Sequence, residues 1–315
     1  MEDRITYKKF CELLSAEVKK CFPPEYSLET HDIVKNNGVH LDSLTIRREE
    51  QRISPNFYLN HLYEQYQQGA SMAELTDEIV RLYEQAMQEC QNVVVDVTYE
   101  KCQEKIVLRL ASGVWNSEIL EQVPHIPFMD MVILFYVVMR KDGEGIGSIR
   151  ISNQLQEQWN ISTQALFNLA LENSMRLFPQ KISSLIHVLE EGAAKRDALF
   201  GDEGTFMSFM EREYGGVQKE APLVITNHCG INGATVILYP NLLEKIGEIF
   251  GRDYYLLPSS IHEFLAIPCN PELSGEKLEM MVREVNRTCV AREELLSEKV
   301  YYFHLQTSKI SMWEV

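Results

Sequence analysis

The polar residues between Leu223 and Pro268 are the main candidates for chemistry in this sequence. They lie at predicted turns or strand ends of an otherwise apolar tract: Asn227, His228, Asn232, Ser259, Ser260, His262 and Glu263. Histidine and glutamate can exchange protons, serine can act as a nucleophile, and asparagine can bind or orient polar groups. Because polar side chains at the ends of packed strands often form functional sites, these residues are candidates for a binding or catalytic cleft.

The segment NHCGING, residues 227–233, is the first candidate. A glycine-rich turn could present backbone N–H groups to an anion, and His228 or Cys229 could act as base or nucleophile. The alternative is a hairpin turn in which Asn and Gly supply positive φ angles. The turn is favoured, because no Lys or Ser/Thr follows in the arrangement of a phosphate loop.

The segment LPSSIHE, residues 257–263, is the second candidate. If a strand starts near Ser260, then Ser260 and His262 share one face and Glu263 lies on the other, so the three cannot form a relay. A nucleophile elbow, G-x-S-x-G, is absent. Hydrogen bonds within a turn are the favoured role of the serines. A functional cleft stays as the alternative, since two polar turns bracket the same strand ends.

His125 is the third candidate, because Pro124 and Pro127 hold it in an extended segment before Asp130. A histidine held rigidly beside a carboxylate suits acid/base chemistry. Prolines also commonly precede a central strand of a sheet, and this structural role is the favoured interpretation. The eight histidines form no H-E-x-x-H motif, and Gly143, Gly145 and Gly147 lie between predicted strands rather than before a helix. We therefore predict no metal and no cofactor.

Charge and cysteine usage limit the function classes. The 46 acidic and 30 basic residues of the 315-residue chain give a formal charge of −16, which disfavours nucleic-acid binding. The seven cysteines are scattered without a C-x-x-C pair, so a disulfide framework and a zinc knuckle are both disfavoured. The N-terminus lacks an apolar signal core, and the longest apolar run is too short to span a membrane. We predict a cytoplasmic protein without membrane association.

Residues 1–91 are predicted to form an N-terminal α+β unit. Amphipathic spacing predicts a helix over 6–21, and Asn37-Gly38 predicts a hairpin of strands 27–35 and 39–47. A helix over 57–68 follows. Ser71 and Glu74 then predict a capping box, opening a helix whose inward face includes Leu82.

Residues 92–315 are predicted to form a larger α+β domain, with a charged loop or linker at about 190–220. Strands are expected at 93–98, 106–111 and 131–140, a hairpin partner at 148–152, and a helix at 162–177. Residues 223–268 predict strand, turn, strand, helix, strand, turn and strand, with Ile249 on the inward face of the helix; a helix over 276–289 and a final strand over 299–304 follow. Because hairpins dominate, we predict largely antiparallel sheets with amphipathic helices packed on them.

Four segments carry a resemblance to a known family: NNGV (36–39), ISP (53–55), VPHIPFMD (123–130) and LPSSIHE (257–263). In this order and spacing they resemble a domain-of-unknown-function family found in anaerobic gut bacteria, over nearly the whole chain. The stretch from Gln158-Trp159 to the closing strand is similar to a second uncharacterised family, from bacilli. Neither family has an assigned activity, so the resemblance implies a bacterial, cytoplasmic protein and no functional residue.

Two functions remain. The favoured one is a binding or regulatory protein that recognises a partner protein or small ligand through the polar strand ends of the C-terminal half. The alternative is a hydrolase or transferase that uses His262 with Glu263, Asn227 or His228. Each catalytic set lacks a member that its mechanism needs, which favours binding. A concave pocket shared by Asn227, Asn232, Ser259 and His262, with His125 in reach, would favour the enzyme.

Overall fold

The computed structural model describes residues 5–48, 54–90, 96–142, 145–188 and 221–314, which form an α+β protein built from antiparallel sheets, as predicted. The chain divides into two compact units. The first comprises residues 1–35 and 39–96, and the second comprises residues 36–38 and 97–315. The charged loop or linker predicted at about 190–220 lies outside the described residues. Within the described ranges, no helix has both the length and the apolar character needed to cross a membrane.

Where it is described, the first unit packs three helices and a three-stranded antiparallel sheet of order β1-β2-β3 around its own core. Its elements are α1 (Tyr7–Lys20), β1 (Tyr26–Val34), β2 (His40–Arg48), β3 (Asn56–Tyr58), α2 (Leu59–Gln68) and α3 (Met72–Cys90). The predicted capping box is confirmed: the Ser71 backbone N–H donates to Glu74 Oε2 at 2.8 Å, and the Glu74 N–H donates to Ser71 Oγ at 3.2 Å.

Two predictions for the first unit are wrong in detail. The helix expected from residue 57 begins at Leu59, because residues 56–58 pair with β2 as a short strand. Leu82 does not face the core and is 36% exposed, whereas Tyr83 is buried. Tyr83 continues the four-residue spacing of Leu75 and Ile79, so this row of the helix, rather than the row of Leu82, faces inward.

In its described residues, the second unit contains two antiparallel sheets and the helices packed on them. Its elements are α4 (Tyr99–Cys102), β4 (Ile106–Ser112), α5 (Ser117–Leu120), β5 (His125–Phe128), β6 (Met131–Asp142), β7 (Gly145–Arg150), α6 (Asn153–Trp159), α7 (Thr163–Leu177), β8 (Gln180–Ser184), β9 (Leu223–Asn227), α8 (Leu242–Phe250), β10 (Tyr254–Ser260), β11 (Glu263–Pro268), α9 (Gly275–Thr288), β12 (Tyr301–His304) and β13 (Lys309–Met312). Short 3₁₀ helices occupy Asn36–Gly38, Gln103–Lys105, Gly233–Leu238 and Arg292–Glu294.

The larger sheet has the order β13-β12-β10-β11-β9-β8. In the smaller sheet β6 is central: β4 pairs with one side of it, and β5 and β7 also pair with it. Apolar side chains of both sheets, such as Phe135 and Phe264, belong to one core cluster together with residues of α7 and α8. This core fixes the free edge of β4 near the end of β9.

Several strand predictions for the second unit are corrected. The strand expected after NHCGING is the 3₁₀ helix Gly233–Leu238. Residues 96–98 of the strand expected at 93–98 are not in a strand, and the rest of it lies outside the described residues. The hairpin partner expected at 148–152 is β7, which begins at Gly145. The final predicted strand corresponds to β12, and β13 follows it at the sheet edge. Ile249 is 60% exposed rather than inward.

Candidate functional site

A narrow pocket lies at the free edge of β4, where α7, the end of β9 and the 3₁₀ helix 233–238 meet it. Its empty space, including the part that is open solvent, is about 290 Å³, but only about 10 Å³ is open to the centre of a water molecule. Its lining combines polar and apolar side chains: Val107, Leu108, Arg109, Ile146, Ser174, Phe178, Asn227, Ile231, Asn232, Thr235 and Tyr239. The innermost space therefore has room for about one water-sized group.

Two hydroxyl groups satisfy the backbone of the β4 edge inside this pocket. Ser174 Oγ accepts from the Leu108 N–H at 2.9 Å and donates to Ala170 O at 2.7 Å. Thr235 Oγ1 accepts from the Leu110 N–H at 3.1 Å. Because a buried N–H group without a partner costs about 1–3 kcal/mol, these hydroxyls hold the edge strand in place. Their first role is therefore to stabilise the fold rather than to bind a ligand.

Arg109 supplies the positive charge of the pocket. Its Nη2 donates to Ser148 Oγ at 2.7 Å, and its Cζ lies 4.1 Å from the centre of the Tyr136 ring, which is a cation–π contact. No carboxylate of the described residues lies within 4.0 Å of this guanidinium. Burial lowers the pKa of Arg109 below its ordinary value, while Tyr136 raises it. An arginine remains protonated at neutral pH, so the pocket contains a charge without a counter-ion in the described chain.

Asn227 and Asn232 reach the same pocket in different roles. Asn227 is buried and shapes the turn: its Nδ2 donates to Ile231 O at 2.9 Å, and its Oδ1 accepts from the Cys229 N–H at 2.9 Å. Asn232 has a left-handed conformation with φ 52° and precedes the 3₁₀ helix. No described residue hydrogen-bonds to its side-chain amide. Asn227 is therefore a structural residue, and Asn232 lines the pocket with a side-chain amide that has no partner among the described residues.

His262 lies in the two-residue turn between β10 and β11, beside this pocket. Its Nδ1 accepts from the Asn232 N–H at 3.0 Å, and its Nε2 lies 3.4 Å from Glu294 Oε1. The first contact places the proton of the neutral ring on Nε2, facing the carboxylate. Thr226 Oγ1 also donates to His262 O at 2.8 Å. The ring therefore joins the β10–β11 turn to the turn that follows β9.

Glu263 is a partly buried carboxyl at the start of β11. Ser259 Oγ donates to its Oε1 at 3.3 Å. Burial raises the pKa of Glu263, and the Ser259 hydrogen bond and the nearby His262 oppose that rise. Ser260 Oγ accepts from the His262 backbone N–H at 3.0 Å, so neither serine bonds to the imidazole. A Ser–His–Glu relay is not assembled among these residues.

The alternation of side chains along a strand does not explain why the Ser–His–Glu relay is not assembled. β10 ends at Ser260 and His262 lies in the turn, so the expectation that these two residues share a strand face is wrong. The two polar turns do meet at one end of the larger sheet, through the contact between Asn232 and His262. Asn227 and Asn232 line the pocket, while Ser259, Ser260, His262 and Glu263 belong to the adjoining β10–β11 hairpin.

Two predicted residues lie apart from this arrangement. The His228 side chain is exposed, and its backbone N–H donates to Pro179 O at 3.0 Å. His125 belongs to β5, where its Nδ1 lies 3.1 Å from Val123 O. Neither residue is part of the pocket lining. The shared pocket that would have favoured an enzyme is not formed by the predicted set.

Comparison with known proteins gives a family and no activity. Residues 7–305 match the model of a family described as a family of unknown function, DUF5688. The chain belongs to this family. No curated protein and no solved structure matches the chain. The resemblance to an uncharacterised family is confirmed, and the functional assignment must come from the site itself.

Sequence reasoning missed Arg109, although a signal was present. The strand IVLRLAS contains one charged residue in an otherwise apolar run. A charged side chain in such a run is rarely buried without a partner or a function, so it merited attention. Its partners Tyr136 and Ser148 come from β6 and β7. In the described part of the chain, no three His, Cys, Asp or Glu side chains are placed to hold a metal ion.

Proposed function

We propose that this protein binds a small ligand in the pocket at the β4 edge. The observation that carries the proposal is that Arg109, without a carboxylate partner in the described chain, lines this narrow pocket together with Asn232, whose side-chain amide has no described hydrogen-bond partner. Binding sites commonly place a few polar groups among apolar lining residues. Here the apolar part includes Ile146, Phe178 and Ile231.

A small ligand is favoured over a protein partner because the polar groups lie inside a concavity. Protein interfaces bury about 800 Å² on each partner and centre on accessible side chains. The predicted polar turns are largely occupied by contacts with each other, such as Asn232 with His262 and Ser259 with Glu263. They support the pocket wall rather than a broad recognition surface.

The test is a thermal-unfolding screen against small metabolites and nucleotides, using wild type and a pocket-filling variant, Ile231→Phe. A ligand at 100 times its Kd stabilises the folded state by about 2.7 kcal/mol, which is a measurable rise in melting temperature. We expect that rise in wild type and in the matched control Ile249→Phe, whose side chain is exposed on α8. An equal rise in Ile231→Phe, or no rise with any compound, contradicts the proposed site.

One observation favours the enzyme alternative. The raised pKa of the Glu263 carboxyl, beside His262, suits a general acid. Against it, His262 Nδ1 already accepts a backbone N–H, and neither side chain lines the pocket. Assays with chromogenic esters and phosphate esters decide the matter. Hydrolysis by wild type that is lost in both Glu263→Gln and His262→Ala would favour the enzyme over simple binding.

A cytoplasmic location and a bacterial origin complete the proposal. Among the cysteines whose side chains are described, no disulfide forms: Cys11, Cys21, Cys102, Cys229, Cys269 and Cys289. Cysteines that form no disulfides suit a reducing compartment. Fractionation of bacterial cells that produce the tagged full chain tests this, and recovery in the periplasmic or membrane fraction contradicts it.

A further inference from the structure

From the contacts of Arg109 we infer that the β4-edge pocket selects a monocarboxylate with an uncharged stem. This inference rests on the proposed binding function and adds the chemical class of the ligand. The carboxylate would bind Arg109 and the side-chain amide of Asn232, while the stem would contact the apolar lining.

The guanidinium has unused capacity for such a ligand. Arginine carries five N–H donors, and in the described chain the Arg109 guanidinium hydrogen-bonds to Ser148 and interacts with Tyr136 through a hydrogen bond and a cation–π contact. These contacts fix the orientation of the planar group without neutralising it. A fixed guanidinium fork matches the two oxygens of a carboxylate.

Charge balance also favours an anion at this position. Removing a guanidinium from water is costly unless an opposite charge compensates it, and no described carboxylate does so within 4.0 Å. The other polar side chains of the pocket are neutral. Ser174 and Thr235 already bond to β4, and Asn227 bonds within its own turn. A single negative charge on the ligand therefore matches the single positive charge of the pocket.

Charge distinguishes a carboxylate from a phosphate in this pocket. About 10 Å³ is open to water centres, so the inner space admits a single oxygen of the anion, and the rest of the ligand would lie in the outer, solvent-open part. A phosphate group brings up to two charges and three free oxygens against one arginine. The rest of the chain, with its formal charge of −16, also repels a dianion more strongly than a monoanion.

The experiment measures the melting temperature of the full chain in acetate, propionate and benzoate at constant ionic strength. The neutral amides acetamide, propionamide and benzamide are the shape-matched controls, and inorganic phosphate tests the alternative anion. We expect stabilisation by at least one carboxylate, little by its amide, and less by phosphate. Titration of the shift with concentration gives an apparent Kd for each compound.

Variants then assign the effect to the pocket. Arg109→Gln removes the charge, and we expect affinity for the carboxylate to fall about 10- to 100-fold, because charged hydrogen bonds are lost. Asn232→Asp keeps the size and the tolerance of positive φ but adds a negative charge, and we expect a fall of about tenfold or more. Arg287→Gln removes the same charge from an exposed site on α9 and should bind as wild type does.

The outcomes separate this inference from the proposed function. Stabilisation by neutral or cationic compounds that Ile231→Phe abolishes, with no effect of carboxylates, overturns the inference and leaves the binding site in place. No stabilisation by any compound overturns both. Carboxylate binding that is unchanged in both Arg109→Gln and Asn232→Asp also overturns the inference. Should Arg109→Gln fail to fold, the Asn232→Asp result decides alone.

Discussion

At the scale of single residues, burial of Glu263 makes the stability of the protein depend on pH. Its pKa is raised in the folded state, above the ordinary value of 4.5 that applies when the chain is unfolded. As pH rises through the interval above 4.5, the unfolded state loses its proton first. The folded state then binds more protons, so this carboxyl makes folding less favourable as pH increases through that window.

We therefore expect Glu263→Gln to gain stability relative to wild type as the pH is raised from 4 to 7. The glutamine Oε1 can still accept from Ser259 Oγ, so the comparison mainly changes the ionisation. Urea unfolding at pH 4, 5.5 and 7 measures the difference in free energy of unfolding. Glu248→Gln, at an exposed position of α8, is the matched control. A difference for Glu263→Gln that is the same at all three pH values would contradict the burial argument.

Residues 36–38 show that the sequence could predict backbone conformation but not the hydrogen-bond partners of a side chain. Asn37-Gly38 predicts positive φ, and the structure confirms it with 58° and 64°. The contacts of the buried Asn37 side chain were not predictable. Asn116 Nδ2 donates to Asn37 Oδ1 at 2.8 Å. Asn37 Nδ2 donates to Arg292 O and Leu295 O. Backbone angles follow from neighbours in sequence, whereas these partners come from distant segments.

At the scale of elements, close backbone packing fixes the turn between β9 and the 3₁₀ helix. A Cβ atom added to Gly233 would lie 2.5 Å from His262 O and 2.7 Å from Asn227 N, and closer still to Thr226 Oγ1. Such distances are too short for any side chain. Glycine at 233 therefore allows the two polar turns of the site to meet.

We expect Gly233→Ala to lower the free energy of unfolding by about 3 kcal/mol or more, since the backbone must move to admit the methyl group. Gly147→Ala in β7 is the control, because its nearest neighbour, Arg140 Cβ, would lie at 3.4 Å. We expect a change of about 1 kcal/mol or less there. Denaturant unfolding of both variants is the measurement. Equal effects would show that the turns are not packed as closely as described.

The elements themselves were predictable where one face carries a regular pattern. The helix expected at 162–177 is observed at Thr163–Leu177, and the Ser162 hydroxyl accepts from the Ala165 N–H. The run ATVILY looks like a strand because it is rich in β-branched residues, yet Gly233–Leu238 forms a 3₁₀ helix. Tertiary packing decides such apolar runs, and here Val236 and Ile237 are both buried in the 3₁₀ helix. Short edge strands such as β13 carry too little pattern to be found.

At the scale of the whole molecule, the two units each have a core of their own. Ile79 of α3 is fully buried in the core of the first unit, and Ile246 of α8 is fully buried in the core of the second. A unit with its own apolar core can unfold as a separate cooperative step. We therefore propose that the units are separate domains, in line with the predicted division near residue 91.

Calorimetry of the full chain with one substitution in each core tests this. Removing three carbon atoms from a buried isoleucine costs about 2–5 kcal/mol, so Ile79→Ala and Ile246→Ala should each lower an unfolding temperature by several degrees. We expect two transitions, of which Ile79→Ala lowers one and Ile246→Ala lowers the other. A ligand of the β4-edge pocket should raise only the transition that Ile246→Ala lowers, because binding stabilises the unit that contains the site. A single transition shifted by both substitutions would instead make the chain one cooperative domain.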